Sequence, residues 1–145
     1  MEPILFIILI GLTGGIAVGL QSTMASTISQ RLGLLESVLI IHIGGALVAL
    51  IPLLIYGGGK LGQWRSLPWY TLVAGIFGLI VIGAISYMIP RVGVAAAVTT
   101  IVVGQLFISM ILDHFGLLGA AEKTLDATRV IGLVVVLVGV WLMVK

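Results

Sequence analysis

Residues 68–113 read PWYTLVAGIFGLIVIGAISYMIPRVGVAAAVTTIVVGQLFISMILD, and this stretch decides the fold. Between Pro68 and Asp113 it carries one Lys or Arg, Arg91, held in Pro90-Arg91-Val92-Gly93. On either side lies an apolar run of the length, roughly 20 residues as helix, that crosses the hydrocarbon core of a bilayer. The runs are continuously apolar, not alternating, which excludes the strands of a membrane barrel. In hydrocarbon each backbone polar group must be satisfied within its own segment, so both runs are expected to be helices.

Working outward, three more such runs appear, giving five: about 3–30, 37–56, 68–89, 93–112 and 125–144. Pro52 lies within the second, which Gly57-Gly58-Gly59-Lys60 is expected to end. Pro90 is expected to stop the third, and Gly116 to mark the end of the fourth. The fold class is therefore all-α: a single five-helix transmembrane domain over 1–145, with every connection too short to form a soluble domain. The first run lacks a basic n-region and an A-x-A site, and is too long for an h-region, so it reads as a retained span and not a cleaved signal.

Composition agrees. Hydrophobic residues make up 61% of the chain and charged residues 8%, where soluble domains carry about 25% charge. Mean hydropathy is +1.35. A net charge of +2 reflects scattered interfacial Lys and Arg and excludes a nucleic-acid footprint. With no cysteine, disulfide frameworks and Cys-ligated metals are excluded. Trp64, Trp69, Tyr70 and Tyr56 cluster at one expected interface and Trp141 at the other, as an aromatic belt requires.

The basic residues fall alternately on the two sides of the bilayer. Lys60, Arg65, Lys123 and Arg129 share one side; Arg31, Arg91 and Lys145 share the other. Orientation normally follows a clear Lys/Arg excess on the cytoplasmic side. Here the excess is one residue, which implies insertion both ways and pairing with an inverted copy. An odd number of spans makes one chain chiral across the membrane, and the inverted copy supplies the missing half. A paired, oppositely oriented homologue fits the same count.

Helices in lipid associate through small residues. Gly11, Gly15 and Gly19 make such a row on the first helix, Gly75, Leu79 and Gly83 a row on the third with Ala74 and Gly78 beside it, and His42, Gly45 and Ala49 a stripe on the second. No HExxH, GxSxG or phosphate-binding loop occurs, and two histidines are too few for a metal site, so neither catalysis nor a cofactor is expected.

Polar residues at membrane depth usually face a cavity or a partner. Gln105, Ser109 and Asp113 fall at i, i+4 and i+8 of the fourth helix; Gln21 sits in a collar of Ser and Thr on the first; Ser86 and Tyr87 lie near the end of the third. For Gln21 and Gln105 the alternative is glue between helices. For the hydroxyls it is bonding back to their own helix. Asp113 and His114 are expected to cap the helix end or pair with a basic loop. His42 has two readings, a proton carrier, since imidazole titrates nearest neutrality, or a neutral packing residue. No Asp or Glu lies mid-span, so the carboxylate device of a proton-coupled cation exporter is absent.

Leu20-Gln21, then Leu32-Gly33 and Gly45, resemble the opening of the YdcZ family. Leu67-Pro68-Trp69, Ile89-Pro90-Arg91-Val92-Gly93, Gly104-Gln105-Leu106, Leu112-Asp113-His114-Phe115-Gly116 and Arg129-Val130-Ile131-Gly132 with Gly139 are similar to that family's later pattern, in order and spacing. The resemblance covers nearly the whole chain. It implies a bacterial inner-membrane protein and half of the ten-helix inverted-repeat architecture of the drug/metabolite transporter superfamily. Such architectures place substrate near the midplane at the repeat interface. Ala25 stands where the family suggests Asn, and His42 where it suggests an aromatic residue, so specificity is expected to differ at those positions.

The expected function is thus secondary transport of a small molecule by an antiparallel homodimer embedded in lipid. Gln21, His42, Tyr87, Gln105 and Ser109 are the expected substrate-binding residues, and His42 is the candidate for proton coupling. The alternative is a non-transporting accessory subunit paired with an unlike five-helix homologue.

Overall fold

The computed structural model describes residues 4–145. Among them every regular element is helical: α1 (Ile4–Leu32), α2 (Leu34–Ile55), a 3-10 helix (Leu61–Ser66), α3 (Trp69–Leu72), α4 (Ile76–Phe115), a second 3-10 turn (Leu117–Gly119) and α5 (Ala127–Val144). Four of these, α1, α2, α4 and α5, are long and apolar enough to cross a membrane. The chain divides into two compact units, the first ending at Pro90 and the second running Arg91–Lys145.

In the first unit α1 and α2 meet at one residue. Gly33 takes φ 121°, ψ 162°, a conformation open to glycine alone. Its carbonyl accepts the Ser37 N–H, and its own N–H reaches the Ser29 carbonyl. Glu36 lies in the first turn of α2 with its carboxylate folded back over Gly33, at the helix end where the macrodipole favours negative charge. Pro52 is accommodated three residues before the end of α2, and Gly57, Gly58 and Gly59 follow with φ of 69°, 82° and 56°. That left-handed run requires the triple glycine.

The third expected span, 68–89, differs from the structure at its start. After α3, hydrogen bonds tighten to i→i+3 from Ala74 through Gly78, and α4 begins at Ile76. Trp69 and Tyr70 stack edge-on with centroids 6.3 Å apart, and the Arg65 guanidinium lies 5.4 Å from the Trp64 ring.

Pro90 does not stop the third helix. It lies inside α4, and the non-helical residue is Gly93, at φ 82°, ψ 167°. Proline removes one N–H but already has helical φ, so it can ride within a membrane helix; a sharp change of direction needs glycine's freedom. The expected third and fourth spans therefore lie in one 40-residue α4 divided at Gly93. As one straight rod α4 would measure about 60 Å, twice the hydrocarbon thickness. At the far end Gly116 is left-handed (φ 59°, ψ 30°), the expected helix stop.

The buried core is small: Ala25, Ile82, Ile85, Ala96 and Ala97, with Ser22, Ser26 and Ser37 as its polar members. Most large apolar side chains point outward, Ile4 and Ile55 among them at 75% and 74% exposed. Such a surface is stable only when hydrocarbon covers it.

Candidate functional site

In the first unit, α2 presents two contacts to the 76–90 part of α4. Leu34 lies against Gly83, its Cδ2 3.6 Å from where a Cβ would stand. One row along, the His42 imidazole lies over Gly78, and a Cβ there would overlap Nε2 and sit 2.6 Å from Cε1. His42 Nδ1 is 2.7 Å from the Val38 carbonyl oxygen. Because a carbonyl only accepts, this contact needs the hydrogen on Nδ1, which leaves Nε2, aimed at Gly78, without one. The ring is thus oriented by its own helix and seated by a glycine.

The hydroxyl collar of α1 divides in two. Thr23 and Thr27 donate back to the carbonyls of Gly19 and Thr23, the local bonding open to such residues in membrane helices. Ser26 accepts from Gln30 Nε2 at 2.9 Å, and Ser37 Oγ, fully buried, donates to the Ala25 carbonyl at 2.9 Å. Ala25 is itself 1% exposed and serves that contact. Gln21 is exposed and makes no hydrogen bond among the described residues; Tyr87 is 63% exposed.

The second unit holds a cavity of about 360 Å³ lined by Leu106, Ser109, Met110 and Asp113 from α4 and by Arg129, Gly132, Leu133 and Val136 from α5. The two helices run antiparallel along it. Thr99 Oγ1 approaches Met143 Sδ at 3.8 Å at one end, and Arg129 Nη1 meets Asp113 Oδ2 at 3.4 Å at the other. Both charged side chains remain about one-third exposed (34% and 38%). The segment after Gly116 folds back over the end of α4: the Lys123 N–H donates to the Asp113 carbonyl at 2.8 Å, and the Leu125 N–H to His114 Nδ1 at 3.3 Å. Asp126 caps α5 by accepting the Arg129 N–H at 2.8 Å. Asp113 thus pairs with a basic residue, as the sequence suggested, but one on the next helix and not in the loop.

Of the five sequence-expected residues, Ser109 lines this cavity and Gln105 does not. Residues at i and i+8 differ by about 80° around a helix, so Gln105 rotates out of the wall that Asp113 occupies. Leu106 takes its place, since 106, 109, 110 and 113 follow the i, i+3, i+4, i+7 stripe. Gln21, His42 and Tyr87 belong to the first unit. The α5 wall gave one sequence signal, Arg129 inside an otherwise charge-free run.

Small-residue rows also sort themselves. Gly78 and Gly83 seat α2, whereas a Cβ at Gly11, Gly15, Gly19, Gly45, Gly75, Gly132 or Gly139 would meet nothing within 4 Å.

Long apolar helices, a minimal core and an outward surface of Leu, Ile and Val define a polytopic α-helical membrane protein. A family model described as "Putative inner membrane exporter, YdcZ" matches residues 6–142, and the chain belongs to this YdcZ family. It is 24% identical over 137 residues to a protein named "Inner membrane protein YdcZ" from Escherichia coli (strain K12), covering 92% of this chain and 91% of that one. No solved structure matches the chain. It is accordingly a multi-pass inner-membrane protein, in a family described as exporters, which is not an enzyme class.

Proposed function

We propose that this chain is a secondary transporter of a small molecule, working by alternating access as a dual-topology antiparallel homodimer. The family's description as an inner-membrane exporter carries the transport reading. The basic residues divide four to three between the two sides expected of five passages, and that near-balance supports dual insertion. The open glycine rows on α1 and α2 support an inverted partner, because helices in lipid meet most closely at such rows. In this reading Gln21, His42, Tyr87, Gln105 and Ser109 contribute to the substrate path, with Nε2 of His42 the proton-accepting atom.

Topology tests it directly. The chain has no cysteine, so single cysteines at Gln63 and Val92 report the two sides without background. Neither position takes a positive φ, unlike the nearby Gly59 and Gly93. Impermeant thiol labelling of intact cells should reach about half of each. Complete labelling of one and protection of the other would replace the homodimer with a partnership between this chain and an unlike homologue.

A further inference from the structure

Asp113 lies in the last turn of α4 and Arg129 in the first turn of α5. Each is at the wrong pole. A helix C-terminus disfavours an anion and an N-terminus disfavours a cation, so neither charge is placed to stabilise its helix. Their contact is long, at 3.4 Å, and partly exposed, and such pairs add little to stability. Only Nη1 of the guanidinium is engaged by a side chain among the described residues. Charges that break a local rule with no compensating gain point to function, and both of these line the cavity whose remaining wall is Leu106, Met110, Leu133 and Val136.

We propose that this cavity binds a small zwitterion with an apolar body: an ammonium and a carboxylate close together on a hydrocarbon group of several carbons. The reasoning is charge complementarity. The site is neutral overall but split, so a lone cation meets Arg129 and a lone anion meets Asp113. A zwitterion replaces one weak pair with two, its ammonium at Asp113 and its carboxylate on the free face of Arg129. Ser109, one turn from Asp113 on the same wall, offers a hydroxyl beside the polar head. The aliphatic walls cover the body, and about 360 Å³ suits a molecule of that size. This names the substrate class of the proposed transporter and rests on that reading for its purpose; the binding itself does not.

The test is calorimetric titration of the detergent-purified full chain with L-leucine, leucine methyl ester (cation only) and N-acetyl-leucine (anion only). Leucine should bind saturably, and each derivative at least tenfold more weakly. Asp113→Asn should erase the discrimination against N-acetyl-leucine, and Arg129→Gln the discrimination against the methyl ester; a purely structural pair would lose all three together. Gly132→Leu, at a position with open space for a side chain, should fill the cavity and abolish binding with no loss of thermal stability. Equal binding of all three ligands, or leucine binding that survives Gly132→Leu, overturns the proposal. So does saturable binding of lyso-phosphatidylethanolamine with none of leucine, since the site would then hold a lipid head. Leucine binding without transport would break the transporter reading alone; dual topology without leucine binding would break this site alone.

Discussion

Two glycine elbows divide the chain's long helices, and they match. Arg31-Leu32-Gly33-Leu34 recurs sixty residues later as Arg91-Val92-Gly93-Val94, with Arg and Gly retained and the neighbours aliphatic (33 becomes 93). The backbone repeats too: φ 121°, ψ 162° at Gly33 and φ 82°, ψ 167° at Gly93. At the same offset the buried Ser22, Ala25 and Ser37 correspond to the buried Ile82, Ile85 and Ala97. The chemistry at those positions differs. Around Gly33 the contacts are hydroxylic, and Ser37 hydrogen-bonds across the elbow to Ala25. At the matching positions on either side of Gly93 the buried residues are Ile82, Ile85 and Ala97, whose side chains carry no donor or acceptor. The same kind of backbone turn is therefore flanked by hydroxylic residues at one glycine and by aliphatic residues at the other.

Replacing the elbow glycines tests the match most strongly. In a helix interior Gly→Ala adds up to about 1 kcal/mol of stability. At Gly33 and Gly93 the sign should reverse, because a Cβ is strained at these dihedrals by roughly 1–3 kcal/mol. Denaturation of Gly33→Ala and Gly93→Ala in mixed micelles should show similar losses. The Glu36 carboxylate beside Gly33 can swing away and adds little. A silent Gly93→Ala would mean that α4 runs straight through and the elbows are unlike. Gly14→Ala, off the row of Gly11, Gly15 and Gly19 and with open space for a Cβ, is the control and should gain stability or leave it unchanged.

Exchanging the closures is the next largest effect. Ser37→Ala removes one buried hydrogen bond, worth about 0.6–1 kcal/mol between membrane helices. Ala97→Ser should not gain that amount; placing a hydroxyl at a fully buried aliphatic position should cost about 1–3 kcal/mol. If the two substitutions instead had equal and opposite effects, position 97 would already have a matching acceptor within reach, and the contrast between hydroxylic and aliphatic surroundings would fail.

What the sequence reveals follows the same division. Spans were legible because hydrocarbon thickness dictates their length and tolerates few charges. The Gly116 stop was legible from local chemistry, as was a basic partner for Asp113. The sequence points to Pro90 for the break that lies at Gly93, because proline is the stronger punctuation in water but rides within a membrane helix. Gln105 and Asp113 share an eight-residue spacing that drifts about 80° around the helix, so spacing alone does not put both on the wall of this cavity. The correspondence of the elbows shows in the sequence only as the repeated Arg-x-Gly, because Ser and Ile share no side-chain chemistry at the matching positions; burial and dihedral angles extend it.

The smallest effect bears on one pair of matching serines. Ser26 Oγ accepts from Gln30, whereas Ser86 Oγ is enclosed with no hydrogen-bond partner among the described residues. The sixty-residue offset explains the difference, because Gln30 corresponds to Pro90, which has no donor to give. Ser26→Ala should therefore cost a few tenths to about 1 kcal/mol, while Ser86→Ala should be neutral or stabilising by a similar amount, since an unsatisfied hydroxyl is removed. Pro90→Gln should then reverse the sign at position 86: with a donor one turn on, Ser86→Ala becomes destabilising in that background. Measuring the four variants in one denaturation series shows whether the residue at position 90 decides the sign at position 86, as Gln30 does at position 26.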